Sequence, residues 1–459
     1  MTDSLFSSLP LTPEFLANLE SLQYLEMTPV QAQSLPFVLE GKDVKAQAKT
    51  GSGKTAAFGI GLLSKIEPTR FETQALIVCP TRELADQVSK ELRRLARPIT
   101  NTKIITLCGG VSFGPQIGSL EHPPHVVVGT PGRLLKHLSK NTLRLGAVKT
   151  LVLDEADRML DMGFLDDIKV IIEKTPADRQ TLLFSATYPE EIEKVSQSIQ
   201  KNPVTVHVES QHDNTVIKQL YFEVEKQEKS AALMKLLQHF APESSVVFCN
   251  RKQQCQELCN ELRAYGFQAM ALHGDMEQKE RDQVLVRFSN KSVSVLIATD
   301  VAARGLDIKD LSLVVNYELS PDPEVYVHRI GRTGRAGQEG LAISLVSQSE
   351  VVKVRRIEEY QKTLARYQNL PEIEAGETKK LIPPMVTLSI NSGRKNKMRP
   401  GDILGALTAN QALKGSQIGK IDIFDFVSYV AVERAISKQA LKILTEGKIK
   451  GKIFQVRKV

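Results

Sequence analysis

Apolar residues along this chain come in short runs, and nearly every run stops at a polar or glycine-rich turn. Ala75–Val78 gives way to Pro80-Thr81-Arg82-Glu83-Leu84, and 126–128 to Gly129-Thr130-Pro131-Gly132-Arg133. The run 151–153 stops at Asp154-Glu155-Ala156-Asp157, and 181–184 at Ser185-Ala186-Thr187. Segment 83–95 between the runs, and 192–199 after the last, place their apolar residues at helical spacing. Strand-like runs alternating with helices predict a parallel sheet with crossover helices. Such sheets bind ligands at the carboxyl ends of their strands, so the polar clusters are expected to converge on one face.

A polar stretch, 209–215, interrupts this pattern, which then starts again. Runs at 246–248, Ala269–Leu272, 293–297, Leu313–Asn316 and 341–346 predict a second α/β domain. A charged helical segment, 349–367, leads into a Glu/Lys-rich connector that ends at Pro383-Pro384. The remainder reads strand (Met385–Ile390), basic loop (391–399), helix (402–409), strands (418–424 and 428–432), helix (437–444) and strand (452–458). That β-α-β-β-α-β order fits a small ferredoxin-like or RRM-like α+β sandwich. The expected boundaries are 1–209 and 216–362 for the α/β domains, 363–384 for a linker and 385–459 for the tail domain.

With 459 residues, 42% hydrophobic and 25% charged, the chain can bury several ordinary cores. No apolar run approaches membrane-spanning length, so no membrane span is expected. The start, MTDSLFSSLPLTPEF, has neither a basic opening nor a long apolar stretch, so no secretory signal is expected. Five scattered cysteines complete no zinc pattern and read as reduced thiols, which places the protein in the cytoplasm. Charge sharpens the picture. The net charge is +7, yet residues 385–459 alone hold 14 Lys/Arg against 5 Asp/Glu. A compact basic domain points to a polyanion, most often nucleic acid.

Gly51-Ser52-Gly53-Lys54-Thr55, about a hundred residues before the acidic tetrad, carries the sharpest chemistry. A Gly-rich turn followed by Lys-Thr offers backbone N–H groups and an ammonium to a polyphosphate, and Thr55 offers a hydroxyl to Mg²⁺. Asp154 at a strand end can hold the same metal, and Glu155 can orient water. His328-Arg329-Ile330-Gly331-Arg332-Thr333-Gly334-Arg335 adds a dense cationic turn. From it Arg332 and Arg335 can reach a γ-phosphate if the two domains close on a nucleotide.

In their order, these motifs resemble those of the DEAD-box RNA helicases, superfamily 2 proteins with two tandem RecA-like domains; the match spans about residues 6–360. The resemblance implies an RNA-dependent ATPase and helicase that uses ATP and Mg²⁺. Phe6, Tyr24 and Gln31 match the segment that reads adenine. Ala48, Lys49, Thr50, Gly51, Ser52, Gly53, Lys54 and Thr55 match the phosphate loop. Lys54, Asp154, Glu155, Arg332 and Arg335 take the catalytic positions, with Thr55 and Asp154 on the metal. Ser185, Thr187 and His328 match residues that couple nucleotide to RNA, and Gly305 and Asp307 complete the nucleotide site. Thr81, Arg82, Gly110, Thr130, Gly132 and Arg133 match the first domain's RNA motifs. Asn250, Gly274, Gln278, Arg281 and Thr299 match those of the second. Cations mixed with small residues suit contact with a sugar–phosphate backbone, which positions RNA without reading sequence.

The tail resembles the RNA-binding domain of the DbpA subfamily of bacterial DEAD-box proteins. This implies recognition of a defined region of 23S ribosomal RNA and a role in large-subunit assembly; a monomer is the separate expectation for its oligomeric state. It departs from the ordinary RRM: Thr387 and Val427 stand where stacking aromatics are expected, and only Tyr429 remains. Tyr429 is kept as an expected RNA contact, and the main contacts are looked for in Arg394, Lys395, Lys397 and Arg399, and in Lys448, Lys450, Lys452 and Arg457. Two rival readings are an ATP-gated RNA clamp and a DNA-directed translocase. Multiple-turnover phosphate release separates the first; RNA against DNA stimulation separates the second.

Overall fold

The computed structural model describes residues 4–48, 51–208, 217–303, 311–334, 339–372, 381–409 and 413–459. Its first sheet has seven parallel strands: β1 (Val44–Gln47), β2 (Ala75–Val78), β3 (Ile104–Leu107), β4 (Val126–Gly129), β5 (Thr150–Asp154), β6 (Gln180–Ser185) and β7 (Val204–His207). Their order is β3-β4-β2-β5-β6-β1-β7. Strands β2, β4, β5 and β6 are buried along their whole length, which is why they read as unbroken apolar runs. Strands β1, β3 and β7 lie outside the expected set. Each interleaves polar residues (Lys45, Thr106, Thr205), and β3 and β7 sit at the sheet's edges, where one side meets solvent.

Successive strand residues point to opposite faces. Ile77, Val126, Val128, Val152, Leu182 and Phe184 join one core, and Leu76, Val78, Val127, Leu151, Leu153 and Leu183 join the other. Each fully buried aliphatic side chain contributes about 1.5–3 kcal/mol, so the strand ends are held by a thick apolar base. The expected helix at 83–95 forms as Arg82–Leu95, started by Thr81, whose hydroxyl accepts from Leu84 N. It buries Leu84, Val88, Leu92 and Leu95 along one stripe.

The second sheet repeats the plan with β8 (Ile217–Glu223), β9 (Ser245–Cys249), β10 (Ala269–Leu272), β11 (Val295–Thr299), β12 (Leu313–Asn316), β13 (Gly340–Val346) and β14 (Tyr367–Gln368). These strands are parallel, in the order β10-β11-β9-β12-β13-β8-β14. The helix expected over 349–367 is shorter, Val351–Gln361, and ends at Lys362 in the left-handed region (φ 53°). Tyr367–Gln368 then pairs with β8 as an edge strand. The fold is thus two RecA-like parallel sheets followed by a smaller antiparallel one.

That third sheet comprises β15 (Met385–Ile390), β16 (Ile418–Ile423), β17 (Ser428–Glu433) and β18 (Val456–Lys458), ordered β16-β17-β15-β18. Helices Pro400–Thr408 and Ser437–Glu446 pack on one face, burying Ile403, Leu407, Ala440 and Leu444 against Val386, Leu388, Ile390, Val430 and Val432. The last strand starts at Val456 rather than at 452, because Ile449 and Lys452 first bridge across a tight turn. The second and third sheets belong to one compact unit. Among the described residues, no helix is long and apolar enough to cross a membrane.

Candidate active site

The phosphate loop follows β1 and ends where the helix Lys54–Leu63 begins. Gly51 (φ 85°) and Gly53 (φ 93°) both occupy the left-handed region. A Cβ at Gly53 would lie 2.5 Å from Gln31 Nε2, so only glycine fits there. Lys54 is buried and donates to Ala48 O at 2.9 Å, and the Ser52 hydroxyl oxygen is buried with no hydrogen-bond partner. Thr55 lies in the first helical turn, where N–H groups have no intrahelical acceptor and the helix dipole favours an anion. Lys49 and Thr50 lie outside the described residues.

Two strands away, β5 delivers Asp154 with 2% exposure, and one of its oxygens, Oδ1, is buried without a hydrogen-bond partner. Burial pushes its carboxyl up to about 7; the Glu155 charge adds to this while Lys54 opposes it. A buried carboxylate with an unsatisfied oxygen, close enough to feel the loop lysine, is the environment a bound cation would relieve. The donor set therefore fits Mg²⁺ held by Asp154 and Thr55.

Glu155 turns the chain off the strand end with φ 54°, a left-handed conformation uncommon for a side chain of this size. It is buried and ion-pairs with Arg158 at 3.1 Å. Asp157 has a role that the sequence reading missed. Its Oδ2 accepts from Ala186 N, Thr187 N and Thr187 Oγ1 at 3.2, 3.1 and 3.2 Å, while its N donates to Ser185 Oγ at 3.1 Å. Asp157 thus ties the acidic turn to the end of β6, through its carboxylate to Ala186 and Thr187 and through its backbone N–H to Ser185. The available signal was the second Asp in the tetrad, three positions after Asp154.

Gln31 opens its helix as part of a capping box: its Oε1 accepts from Thr28 N at 2.9 Å. Its Nε2 donates to Gly53 O at 3.0 Å, and Thr28 Oγ1 donates to Ser52 O at 2.7 Å. The amide therefore holds the phosphate loop itself. One acceptor lone pair and one N–H remain for a base edge. Phe6 is buried and packs edge-on against Tyr24, with ring centroids 5.9 Å apart. The Tyr24 hydroxyl donates to Glu91 at 2.7 Å, and burial plus that carboxylate raise its pKa.

The other predicted residues of the first sheet meet at the ends of three neighbouring strands, β3, β4 and β2. Arg82 lies flat on the Gly109–Gly110 turn. A Cβ at Gly110 (φ 76°) would stand 1.8 Å from its Nη1. Thr130 caps the helix Pro131–Ser139, and Gly132 faces open space. Arg133 donates to Gln116 Oε1 and to Val111 O, both at 2.8 Å, and lies over the Phe113 ring.

In the second sheet, Arg329 organises the strand ends. It is buried and donates to Asp300 at 2.7 Å, Glu318 O at 2.6 Å, Asn316 at 3.2 Å and Asn250 at 2.8 Å. Asn250 also donates to Leu319 O at 3.0 Å, and Thr299 ends β11 alongside Cys249. Arg332 is mostly buried and His328 half-buried, both at the end of the helix Pro323–Ile330. On the helix Gln278–Ser289, Gln278 donates to Asp282 at 2.8 Å and Arg281 reaches His273 O at 3.4 Å. Gly274 has open space where a side chain would be. Gly305, Asp307 and Arg335 lie outside the described residues.

In the tail, Arg394, Lys395, Lys397, Arg399, Lys448, Lys450, Lys452 and Arg457 are all exposed. Lys450 donates to Lys397 O at 3.1 Å, so the two basic segments adjoin. Tyr429 behaves differently from the expectation. It is 4% exposed and packs edge-on against Phe424, which leaves no open ring face for a base to stack on.

Three families of known proteins match successive stretches: "DEAD/DEAH box helicase" over residues 28–195, "Helicase conserved C-terminal domain" over 228–337 and "DbpA RNA binding domain" over 387–458. The chain is 55% identical over 447 residues to ATP-dependent RNA helicase DbpA of Escherichia coli K12, covering 97% of each. It is 45% identical over 355 residues to ATP-dependent RNA helicase CshA of Listeria monocytogenes, covering 77% of this chain and 68% of the other. Among solved structures, Saccharomyces cerevisiae Dbp5 bound to RNA and ADP BeF3 superposes with a TM-score of 0.73 at 32% identity, covering 80% of this chain and 96% of the other.

Proposed function

The chain belongs to the DEAD-box ATP-dependent RNA helicases of DbpA type, and from that premise we propose that it remodels 23S ribosomal RNA during assembly of the large subunit, as a cytoplasmic monomer. The observation that carries the catalytic half is Asp154, buried beside the phosphate loop with an oxygen left unpaired. The loop N–H groups and Lys54 bind the phosphates of ATP, and Thr55 and Asp154 hold Mg²⁺. When bound, the ion neutralises charge on the phosphate oxygens. Glu155 orients the attacking water and takes its proton. Arg332 and Arg335 oppose the charge that develops on the transferred phosphoryl group. Gln31 reads the adenine edge with the hydrogen-bonding capacity it retains, and Asp157 relays between the metal site and Ser185 and Thr187. RNA lies along Arg82, Gly110, Thr130 and Gly132 of the first sheet domain and Asn250, Gly274, Gln278 and Arg281 of the second.

Targeting rests on the tail's joined basic segments, since its one sheet tyrosine is covered. ATPase stimulation by a 23S ribosomal fragment against an unrelated RNA of equal length tests this reading. The intact chain should prefer the ribosomal fragment. Replacing Lys395 and Lys397 by Ala should weaken the preference and flatten its salt dependence. Equal stimulation by both RNAs in the intact chain would remove the ribosomal assignment and leave the helicase.

A further inference from the structure

The tyrosine of the tail sheet is covered, yet the tail keeps an open aromatic ring elsewhere. A tight hairpin joins β16 to β17: Phe424 N donates to Val427 O at 2.8 Å, with Asp425 and Phe426 at the tip. The two phenylalanines of this hairpin differ. Phe424 packs edge-on against Tyr429, with ring centroids 5.7 Å apart. Phe426 is 69% exposed and lies outside the tail's core. A ring left in water forgoes much of the stabilisation that burial brings. A lone exposed apolar side chain is ordinary; what sets Phe426 apart is its surroundings.

The hairpin is clamped to the basic loop 391–399. Arg394 N donates to Phe424 O at 2.8 Å, Lys395 N to Asp425 O at 2.9 Å, and Ser428 Oγ to Ser392 O at 2.6 Å. A Cβ at Gly393 would lie 2.2 Å from Phe424 O and 2.6 Å from Asp425 O, so glycine is what lets the two turns approach. Asp425, the one carboxylate at the tip, meets Arg394 at 3.5 Å. Lys395 and Lys397 are exposed and, among the described residues, pair with no carboxylate. Lys450 Nζ reaches Lys397 O at 3.1 Å and brings a further cation. An open ring on a fixed turn, bordered by unneutralised ammonium groups, offers both contacts a nucleotide uses: a face for the base and cations for its phosphates. An apolar protein surface seated here would strip water from those same ammonium groups, which disfavours it as the occupant.

We propose that Phe426 is a base-stacking site, on which one unpaired RNA base lies while Lys395 and Lys397 hold the adjoining phosphates. Resting on the reading that the tail's basic segments bind RNA, this assigns them a form of RNA: a loop, bulge or junction. A base inside a continuous duplex shows no face to a ring. Every base has a π-face, so the ring selects unpaired over paired bases rather than one letter over another. The tail thereby stacks from a turn, where the ordinary RRM stacks from its sheet.

Affinity of the full chain for the 23S ribosomal fragment, read by fluorescence anisotropy without nucleotide, tests this. The variants are Phe426→Ala, Phe426→Leu, Phe426→Trp and the double replacement of Lys395 and Lys397 by Ala. Because the ring lies outside the tail's core, the Phe426 variants spare the fold. Ala and Leu should each weaken binding by about 5- to 150-fold, the range for one stacked base, and Trp should stay within about twofold of the parent. The three Phe426 variants should keep the parent's salt dependence, whereas the lysine pair should flatten its slope by about 0.7 per charge removed. A fully paired RNA of the same length should bind parent and Phe426→Ala alike; equal losses on both RNAs would overturn the stack. A Leu variant that binds as tightly as the parent would overturn it too, in favour of a plain apolar contact. Unchanged affinity in Phe426→Ala, with a loss in the lysine pair, would also overturn it and would leave the tail's RNA-binding role standing. Normal binding by the lysine pair as well would remove that role, and the stack with it.

Discussion

The two parallel sheets share a seven-stranded plan but treat buried charge in opposite ways. At the strand ends of the first, Asp154 keeps an oxygen without a partner and its carboxyl is pushed up to about 7 by burial. At the strand ends of the second, Arg329 is bonded to Asp300, Asn316, Glu318 O and Asn250. Lys229, also buried, donates to Glu350, Tyr317 O and Leu345 O. An incomplete polar site is poised for a ligand, whereas a complete one fixes the scaffold. The difference separates residues whose loss should cost turnover from those whose loss should cost stability.

The largest expected effect tests the completed side. Lys229→Ala leaves the buried Glu350 with only its longer, 3.5 Å contact to Lys353. Burial raises the Glu350 carboxyl, but the Lys229 hydrogen bond and charge, together with the backbone N–H groups of Ser347 and Leu319, hold it below its ordinary value. Breaking such a pair costs about 3–5 kcal/mol. Amide exchange in β9 and β12 should quicken accordingly, and unchanged exchange would break the comparison. On the incomplete side, Glu155→Gln should lower ATP turnover by ~10²-fold or more while nucleotide still binds. Its thermal unfolding should fall by less than that of Lys229→Ala, because Gln keeps the shape and an oxygen that can still accept from Arg158. A stability loss as large as that of Lys229→Ala would place Glu155 among the scaffold residues.

Gln31→Ala falls between the two kinds, because its amide both supports the loop and retains capacity for a base. Discrimination of ATP from GTP should fall by about 1–3 kcal/mol in relative affinity. A variant that weakens both nucleotides equally would assign Gln31 to loop support alone. The smallest effect concerns His137, buried between Thr142 Oγ1 at 2.8 Å and Gln116 Oε1 at 3.0 Å. Burial pushes its pKa down to about 4, with the Arg133 and Lys136 charges adding to the shift. The unfolded chain takes up this proton near pH 6.5, before the folded chain does. Stability is therefore intact above pH 6.5 and declines as pH falls toward about 4, by about 1.4 kcal/mol at pH 5.5. A urea series at pH 7 and pH 5.5 should show this slope in the parent and lose it in His137→Leu.

The same contrast explains what could be read from the sequence. Fully buried strands such as β2 and β5 announce themselves, because both faces demand apolar residues. Strands such as β1, with Lys45 and Gln47 interleaved, carry no such signature. The phosphate loop and acidic tetrad are legible because each is a local pattern beside an apolar run. The Gln31–Gly53 bond, the Asp157 bracket and the Arg329 hub join residues 22, 30 and 79 positions apart, and no local pattern reports such pairings. The contact of Thr387 in the tail with Ser292 of the second sheet domain was hidden for a different reason. Thr387 advertises only a missing aromatic, and its partner Ser292 is one small polar residue among many.

The tail sheet's face of Thr387, Ser389, Tyr429 and Ala431 is buried, with Thr387 bonded to Ser292 and Asn290, and this bears on how the chain is made. Synthesis proceeds from the N-terminus, so the helix Gln278–Ser289 is complete before β15 leaves the ribosome. The tail's apolar core lies on the opposite face of its sheet, so the tail can fold first and settle on a finished surface afterwards. That surface presents Ser289, Asn290 and Ser292 rather than an oily patch. A nascent chain that pauses before its tail emerges therefore exposes wettable hydroxyls and an amide, and has little there for another half-made chain to adhere to.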